Sequence, residues 1–478
     1  MTKWPNKMSL VKVSRLCVAA LFCGTFSGTL QAESLRQALV SAYNASGLIQ
    51  QNRALLRAAD EDVAVAASAL GAVLTWTATT ERSLMYGNTT NTIGNVESFE
   101  SSATSANLGI NANLTLFDGG RNKFALAAAK EAVFSTRQKL IGVEQRVLLA
   151  AVEALTEVRE NRRTVKLRKN NLRVIQEELR AAQDRFEVGE VTKTDVALAQ
   201  ARLAASQSAL ASAQGNLQQA EEIYKQVVGK RAGDALTTGD RPKLPASASA
   251  VKASAVRAHP DIVAVQHDIK QAEFNISRAE AAYQPTVSLS GRLGYTDSDV
   301  DNDLFNRSAT IGLTAQGTLY SSGRLPALLR KARAQRDAQR SALHLVKLKL
   351  EQEAGTAFAI LEISRASRKA SEEQIRASRV AFEGVREEAK VGSRTTLDVL
   401  NAEQELLDAQ ADLLSVETDE FVSAYRVLAQ MGKLTVEHLN LPVQKYDPQA
   451  YYNLVEKAPS AITARGAKLD QLLESLSK

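Results

Sequence analysis

A chain of 478 residues that is 45% apolar but only 5% aromatic cannot build one thick core from large side chains; its alanine-rich apolar content suits thin, close-packed helices. The formal charge of +6 owes much to Lys3, Lys7, Lys12 and Arg15, and outside that stretch 55 bases face 53 acids, which gives no basic field for nucleic acid. Both cysteines, Cys17 and Cys23, fall in the same N-terminal stretch, so the rest of the chain has no disulfide, thiol or Cys–metal chemistry.

Residues 1–32 read as a signal peptide: lysines, then the apolar run "LCVAALFCGTFSGTL", then "LQA" ending at Ala32. The run is too short for a membrane-spanning helix, and neither cysteine is preceded by the small residues of a lipoprotein signal. No later segment approaches the length of apolar sequence a transmembrane helix needs. The expected protein is exported.

The remainder is written twice. Residues 33–245 read as a first structural repeat: a helix over Leu35–Leu70, two strands, a long helix over Arg121–Glu187, a Val-Gly turn, and a helix over Thr192–Val228. Residues 246–435 repeat that order with helices over Ala248–Ala282, Arg324–Lys390 and Thr395–Met431. Gly120-Arg121 of "LFDGGR" and Gly323-Arg324 of "LYSSGR" begin the long helices; Val188-Gly189 and Val391-Gly392 end them. The paired glycines, and Asp195 with Asp398, are all 203 positions apart, whereas the first helices are 213 apart. The difference must lie in the first strand pair, between Leu74 and Gly120. Residues 436–478 are expected to form a tail, partly disordered.

The long helices would each reach about 100 Å and need neighbours running alongside rather than a core to wrap. The strands alternate. Leu108, Ile110, Ala112, Leu114 and Leu116 oppose Asn107, Gly109, Asn111, Asn113 and Thr115, and the runs from Thr286 and Ser308 behave alike. That dyad period fits a membrane β-barrel strand as well as a half-buried soluble sheet. The helices carry little spare apolar surface to cover a soluble sheet, which favours the membrane. Four strands cannot close a barrel around a polar lumen, so several chains would have to complete one. Trp76, Tyr86, Phe117, Tyr295, Phe305 and Tyr320, near strand ends, fit interfacial belts.

In each turn the glycine suits a left-handed conformation, and Thr192 with Asp195, or Thr395 with Asp398, suits an N-terminal cap. The two turns, the two "GR" junctions and the duplicated layout resemble the TolC family of outer-membrane exit ducts; "LNLPVQKYDPQAYY" and "YNASGLIQQNRALLRAADEDVA" resemble its type I secretion members. The resemblance implies a mainly α fold with membrane β: long antiparallel helical hairpins form a periplasmic α-barrel, and four strands per chain contribute to a trimeric twelve-stranded outer-membrane β-barrel.

The resemblance further implies an exit duct of type I secretion or multidrug efflux, working with a periplasmic adaptor and an inner-membrane ABC or RND transporter. Val188, Gly189, Val391 and Gly392 would be the tips on which the adaptor docks. Asp398 would line the entrance, with Asn401 where the family usually has a second acid; Arg394 would link to Thr194 and Asp195, with Ala389 replacing an aromatic partner.

No catalytic constellation or cofactor motif stands out, and His259, His267, His344 and His438 lack metal-ligand spacing. Acid pairs such as Glu387-Glu388 read as solvated helix faces. A periplasmic adaptor or a coiled-coil structural protein would share the helices, but not the duplicated hairpins with alternating strands.

Overall fold

A computed structural model describes residues 33–298, 305–459 and 463–477; the expected signal peptide lies outside the described residues. In chain order the elements are β1 (Glu33–Ser34), α1 (Leu35–Ala45), α2 (Gly47–Ser68), β2 (Val73–Thr90), β3 (Val96–Phe117), α3 (Arg121–Glu187) and α4 (Lys193–Val228). There follow β4 (Leu236–Thr237), α5 (Ala248–Ala258), α6 (Pro260–Ala281), β5 (Thr286–Ser298), β6 (Asn306–Gln316), α7 (Arg324–Lys390), α8 (Thr396–Gln430), α9 (Pro448–Val455) and α10 (Ala464–Ser477).

Both long helices run 67 residues between the ends that the glycines mark. The first helix of each repeat is broken where continuous helices were expected. Ser46, with ψ 109°, and His259, with ψ 134°, leave the helical region, and each caps the helix that follows. Ser46 Oγ accepts from Ile49 N at 3.3 Å, and His259 Nδ1 accepts from Asp261 N at 3.2 Å. The second break is also required by Pro260, whose ring cannot sit inside a helix but suits its first turn.

The helices lie side by side. Toward the turns α3 packs with α4 and α8 through Ile175, Ala182, Ala199 and Leu400. Midway, Leu148, Val152 and Leu155 of α3 meet Leu39 of α1, Tyr224 of α4 and Leu428 of α8 in the largest apolar cluster. Alanines such as Ala151, Ala199 and Ala409 are fully buried where helices approach closely. The tail contributes as well: Tyr452 of α9 buries against Leu56, Val63 and Val133, and Val455 against Ala64. Arg53 lies between the rings of Tyr43 and Tyr446, and Arg137 between those of Phe134 and Tyr452.

At the far end from the turns β2, β3, β5 and β6 form one antiparallel sheet in that order. The first hairpin is the longer, 18 and 22 residues against 13 and 11, which is where the ten-residue difference between repeats falls. Directly paired residues share a face. One face carries the rows Leu74–Ala112–Gly291–Ile311 and Trp76–Ile110–Leu293–Ala309; the other carries Thr75–Asn111–Arg292–Thr310 and Thr77–Gly109–Gly294–Ser308. A bulge between Thr115 and Phe117 ends the alternation, so Phe117, not Leu116, pairs with Val287. The apolar face is uncovered: Trp76 is 75% exposed and Ile311 86%.

Candidate functional site

The two turns share the same backbone and capping bonds. Glycines at φ 82° and 81° end α3 and α7. Gly189 N donates to Phe186 O and Glu190 N to Arg185 O, at 3.0 and 2.9 Å; Gly392 N donates to Ala389 O and Ser393 N to Glu388 O, at 3.2 and 3.0 Å. This double bond pattern closes the last helical turn with a left-handed residue that only glycine takes without strain. The returning helices then start with capping boxes. Asp195 Oδ2 accepts from Thr192 N at 2.9 Å and Thr192 Oγ1 accepts from Asp195 N at 3.2 Å; Asp398 Oδ2 and Thr395 do the same at 3.0 and 3.2 Å.

Those bonds also set the charge. The Thr192 hydroxyl and amide bonds hold the Asp195 carboxyl below its ordinary value, and the Thr395 bonds, with nearby Arg394, do so for Asp398. Both aspartates are anions at neutral pH. Val188 and Val391 stand exposed at the tips, and Thr194 is exposed at the start of α4. The two tips flank a cleft of about 530 Å³ lined by Glu190, Thr192 and Asp195 from one side and Gly392, Arg394 and Thr395 from the other.

Arg394 lines this cleft but is bonded elsewhere: its Nε donates to Glu388 Oε2 of its own hairpin at 2.8 Å, rather than to Thr194 or Asp195. Glu388, read from the sequence as part of a solvated acidic face, is therefore that arginine's partner. Asn401 is tied across hairpins, accepting from Arg202 Nη2 at 2.9 Å. Arg202 was not a sequence candidate, because no local pattern links positions 199 apart. Deeper, Asn171 Nδ2 donates to Glu403 Oε1 at 2.5 Å and Ser206 Oγ donates to Asn171 Oδ1 at 3.0 Å, a buried polar bridge joining α3, α4 and α8.

At the strand-to-helix junctions Gly120 and Gly323 take φ 88° and 83°, and Arg121 and Arg324 open the long helices. The side chain that caps α3 is one the sequence reading passed over: Asp118 accepts from Gly120 N and Asn122 N, both at 2.9 Å. Ser321 Oγ does the corresponding work for α7, accepting from Leu325 N at 3.3 Å. Among the described residues, no group of three or more His, Cys, Asp or Glu is placed to hold a metal, and no helix is long and apolar enough to cross a membrane.

The outer membrane efflux protein family is matched twice along the chain, by residues 38–230 and by residues 253–431, each span holding one hairpin of long helices. The chain belongs to that family. The outer membrane efflux protein BepC of Brucella suis biovar 1 is 36% identical over 426 residues, 89% of this chain and 91% of the relative. The alkaline protease secretion protein AprF of Pseudomonas aeruginosa is 26% identical over 313 residues, 62% of this chain and 63% of the relative. The fold matches the crystal structure of the Campylobacter jejuni CmeC outer membrane channel with a TM-score of 0.74 at 16% identity, covering 90% and 91% of the two chains. As an outer membrane efflux protein the chain is an exit channel, with its sheet in the outer membrane and its helical hairpins forming the periplasmic tunnel. This sets aside the adaptor and coiled-coil readings.

Proposed function

We propose that three copies of the chain close a twelve-stranded barrel and a continuous helical tunnel, giving a passive duct for a tripartite secretion or efflux system. The observation that carries this is the uncovered sheet. It is apolar on one face and polar on the other, and among the described residues the outer edges of β2 and β6 are unpaired. An open edge in lipid leaves backbone groups unsatisfied at several kcal/mol each, so the edges must meet those of other copies. Outer-membrane lipid then covers the Trp76 and Ile311 rows, and the Asn111 and Thr310 rows face the lumen.

The hairpin tips form the periplasmic entrance. Val188, Gly189, Val391 and Gly392 are the docking points for an adaptor that recruits an ABC or RND transporter, which supplies the energy. Asp398 gives one carboxylate per chain at the mouth. Arg394 is the gate link: it lines the same cleft as Asp195, so exchange between Glu388 and Asp195 would open or close the mouth. The likeness to AprF supports a secreted polypeptide as cargo.

Light scattering of the detergent-solubilised protein tests the assembly. Three copies per particle are expected, and a monodisperse monomer would overturn the proposal. Cysteines at Glu190 or Ser393 are expected to cross-link to the adaptor.

A further inference from the structure

Beyond the turn geometry, the region of the tips holds a cation whose hydrogen-bond partner is neutral. Arg202 of α4 donates its hydrogen bond to the side-chain carbonyl of Asn401, a neutral partner. Three cations nearby are committed to acids instead: Arg394 to Glu388 at 2.8 Å, Lys390 to Glu387 at 2.6 Å and Arg386 to Glu178 at 3.5 Å. Glu403 also feels the field of Arg202, but it is buried and bonded to Asn171, and burial pushes its carboxyl up toward the neutral form.

Asn401 follows Asp398 by three residues on α8, one helical turn deeper on the same face. Asn401 therefore lies about 5 Å along the helix axis from Asp398, and the guanidinium bonded to its side chain falls within a screening length of that level at ordinary salt. Opposite charges within a screening length of each other offset one another for a passing solute.

We propose that Arg202 is a selectivity-determining residue of the periplasmic entrance: seated on Asn401, it offsets the Asp398 carboxylate and leaves the mouth with little preference for cations, so that anionic solutes and acidic polypeptide segments enter. This rests on the reading of Asp398 as an entrance residue. In the assembled duct the offset repeats once per chain, turning an anionic ring into two closely spaced rings of opposite sign. Asn401 holds the cation in place without cancelling it; an aspartate at that position would pair with Arg202 and restore a net negative mouth.

The test is the reversal potential of single channels in planar bilayers under a KCl gradient near 0.1 M, where the screening length is about 10 Å. Arg202→Gln keeps a hydrogen-bond donor for Asn401 but removes the charge, and is expected to raise the potassium-to-chloride permeability ratio about threefold. Arg202→Lys keeps the charge and is expected to match wild type, which separates electrostatics from a purely structural link. Asp398→Asn is expected to lower the ratio. If Arg202→Gln leaves the ratio unchanged while Asp398→Asn lowers it, Arg202 has no such role. If Arg202→Lys shifts the ratio as Arg202→Gln does, the geometry of the bond and not the charge is responsible, which also overturns the proposal. If Asp398→Asn is silent too, the entrance reading itself fails and the proposal with it.

Discussion

Tyr224 donates its hydroxyl hydrogen to Glu33 Oε1 at 2.7 Å, joining the start of the first repeat to the end of α4. Glu33 also receives Lys230 Nζ at 2.9 Å and Gly233 N at 3.0 Å. Burial alone would push the Glu33 carboxyl up, but the bonds from Lys230, Tyr224 and Gly233 together leave it below its ordinary value. A lowered carboxylate contributes stability that is present above its unfolded value and lost as pH falls through the folded one, so the contribution disappears only below the ordinary glutamate range. Glu33→Ala strands the buried Tyr224 hydroxyl and is expected to cost about 1–3 kcal/mol. A lower melting temperature at pH 7, with wild type and variant converging in strong acid, checks it.

Asp60 presents the opposite sign. It is fully buried, and neither carboxylate oxygen has a hydrogen-bond partner among the described residues. Burial raises it to about 6, with Arg137 pulling down and Glu61 pushing up. The folded state therefore binds a proton that the unfolded state has released, and stability falls as pH rises from about 4 through about 6. Asp60→Asn removes that dependence and is expected to stabilise by about 1–3 kcal/mol at pH 8. The fall in melting temperature from pH 5 to pH 8 should be smaller for the variant than for wild type, because burial also raises Glu144, Glu160 and Glu403 in both.

Three glycines with positive φ separate strain from crowding. At Gly189 and Gly392 nothing lies within 4 Å of where a Cβ would stand, so Gly392→Ala is expected to cost only the left-handed backbone strain of about 1–2 kcal/mol. At Gly432, φ 72°, a Cβ would come within 3.1 Å of His259 Cα and 3.2 Å of Ala258 O. Gly432→Ala must therefore also shift backbone at the α5–α6 break, and should lower the melting temperature more than Gly392→Ala. Equal effects would mean that the crowding at His259 relaxes freely.

The two faces of β6 should respond differently to charge. Ile311→Arg puts a cation on the apolar row beside Gly291, whereas Thr310→Arg puts it on the polar row beside Arg292. On a lipid-facing strand the first change costs about 2–4 kcal/mol at mid-bilayer depth, and a lumen-facing change alters conduction instead. Heat-resistant oligomer on a gel should be lost for Ile311→Arg and kept for Thr310→Arg; the reverse pattern would invert the barrel.

Local chemistry made much of this readable. The ends of α3 and α7 follow from glycines at both termini, and the sheet faces follow from alternation that pairing then keeps in register. The break at Ser46 was hidden because alanine-rich helical periodicity runs straight through it, although Pro260 marked the equivalent break in the second repeat. The docking of the tail through Tyr446 and Tyr452 depends on Arg53 and Arg137, hundreds of residues away, and Arg202 with Asn401 is the same kind of contact. Such partners are set by which helices lie side by side, which no local spacing encodes.

The Arg394–Glu388 pair offers the sharpest check on the gate. If it holds Arg394 in reserve from Asp195, then Glu388→Gln frees the guanidinium for Asp195 across the cleft and tightens the mouth, while Arg394→Ala loosens it. The two variants should then move single-channel conductance in opposite directions, down for Glu388→Gln and up for Arg394→Ala. Raising the salt should shrink both differences, because the pair is exposed and screened. Movement in the same direction would instead mean that Arg394 and Glu388 act as one unit that closes the mouth from within a single hairpin.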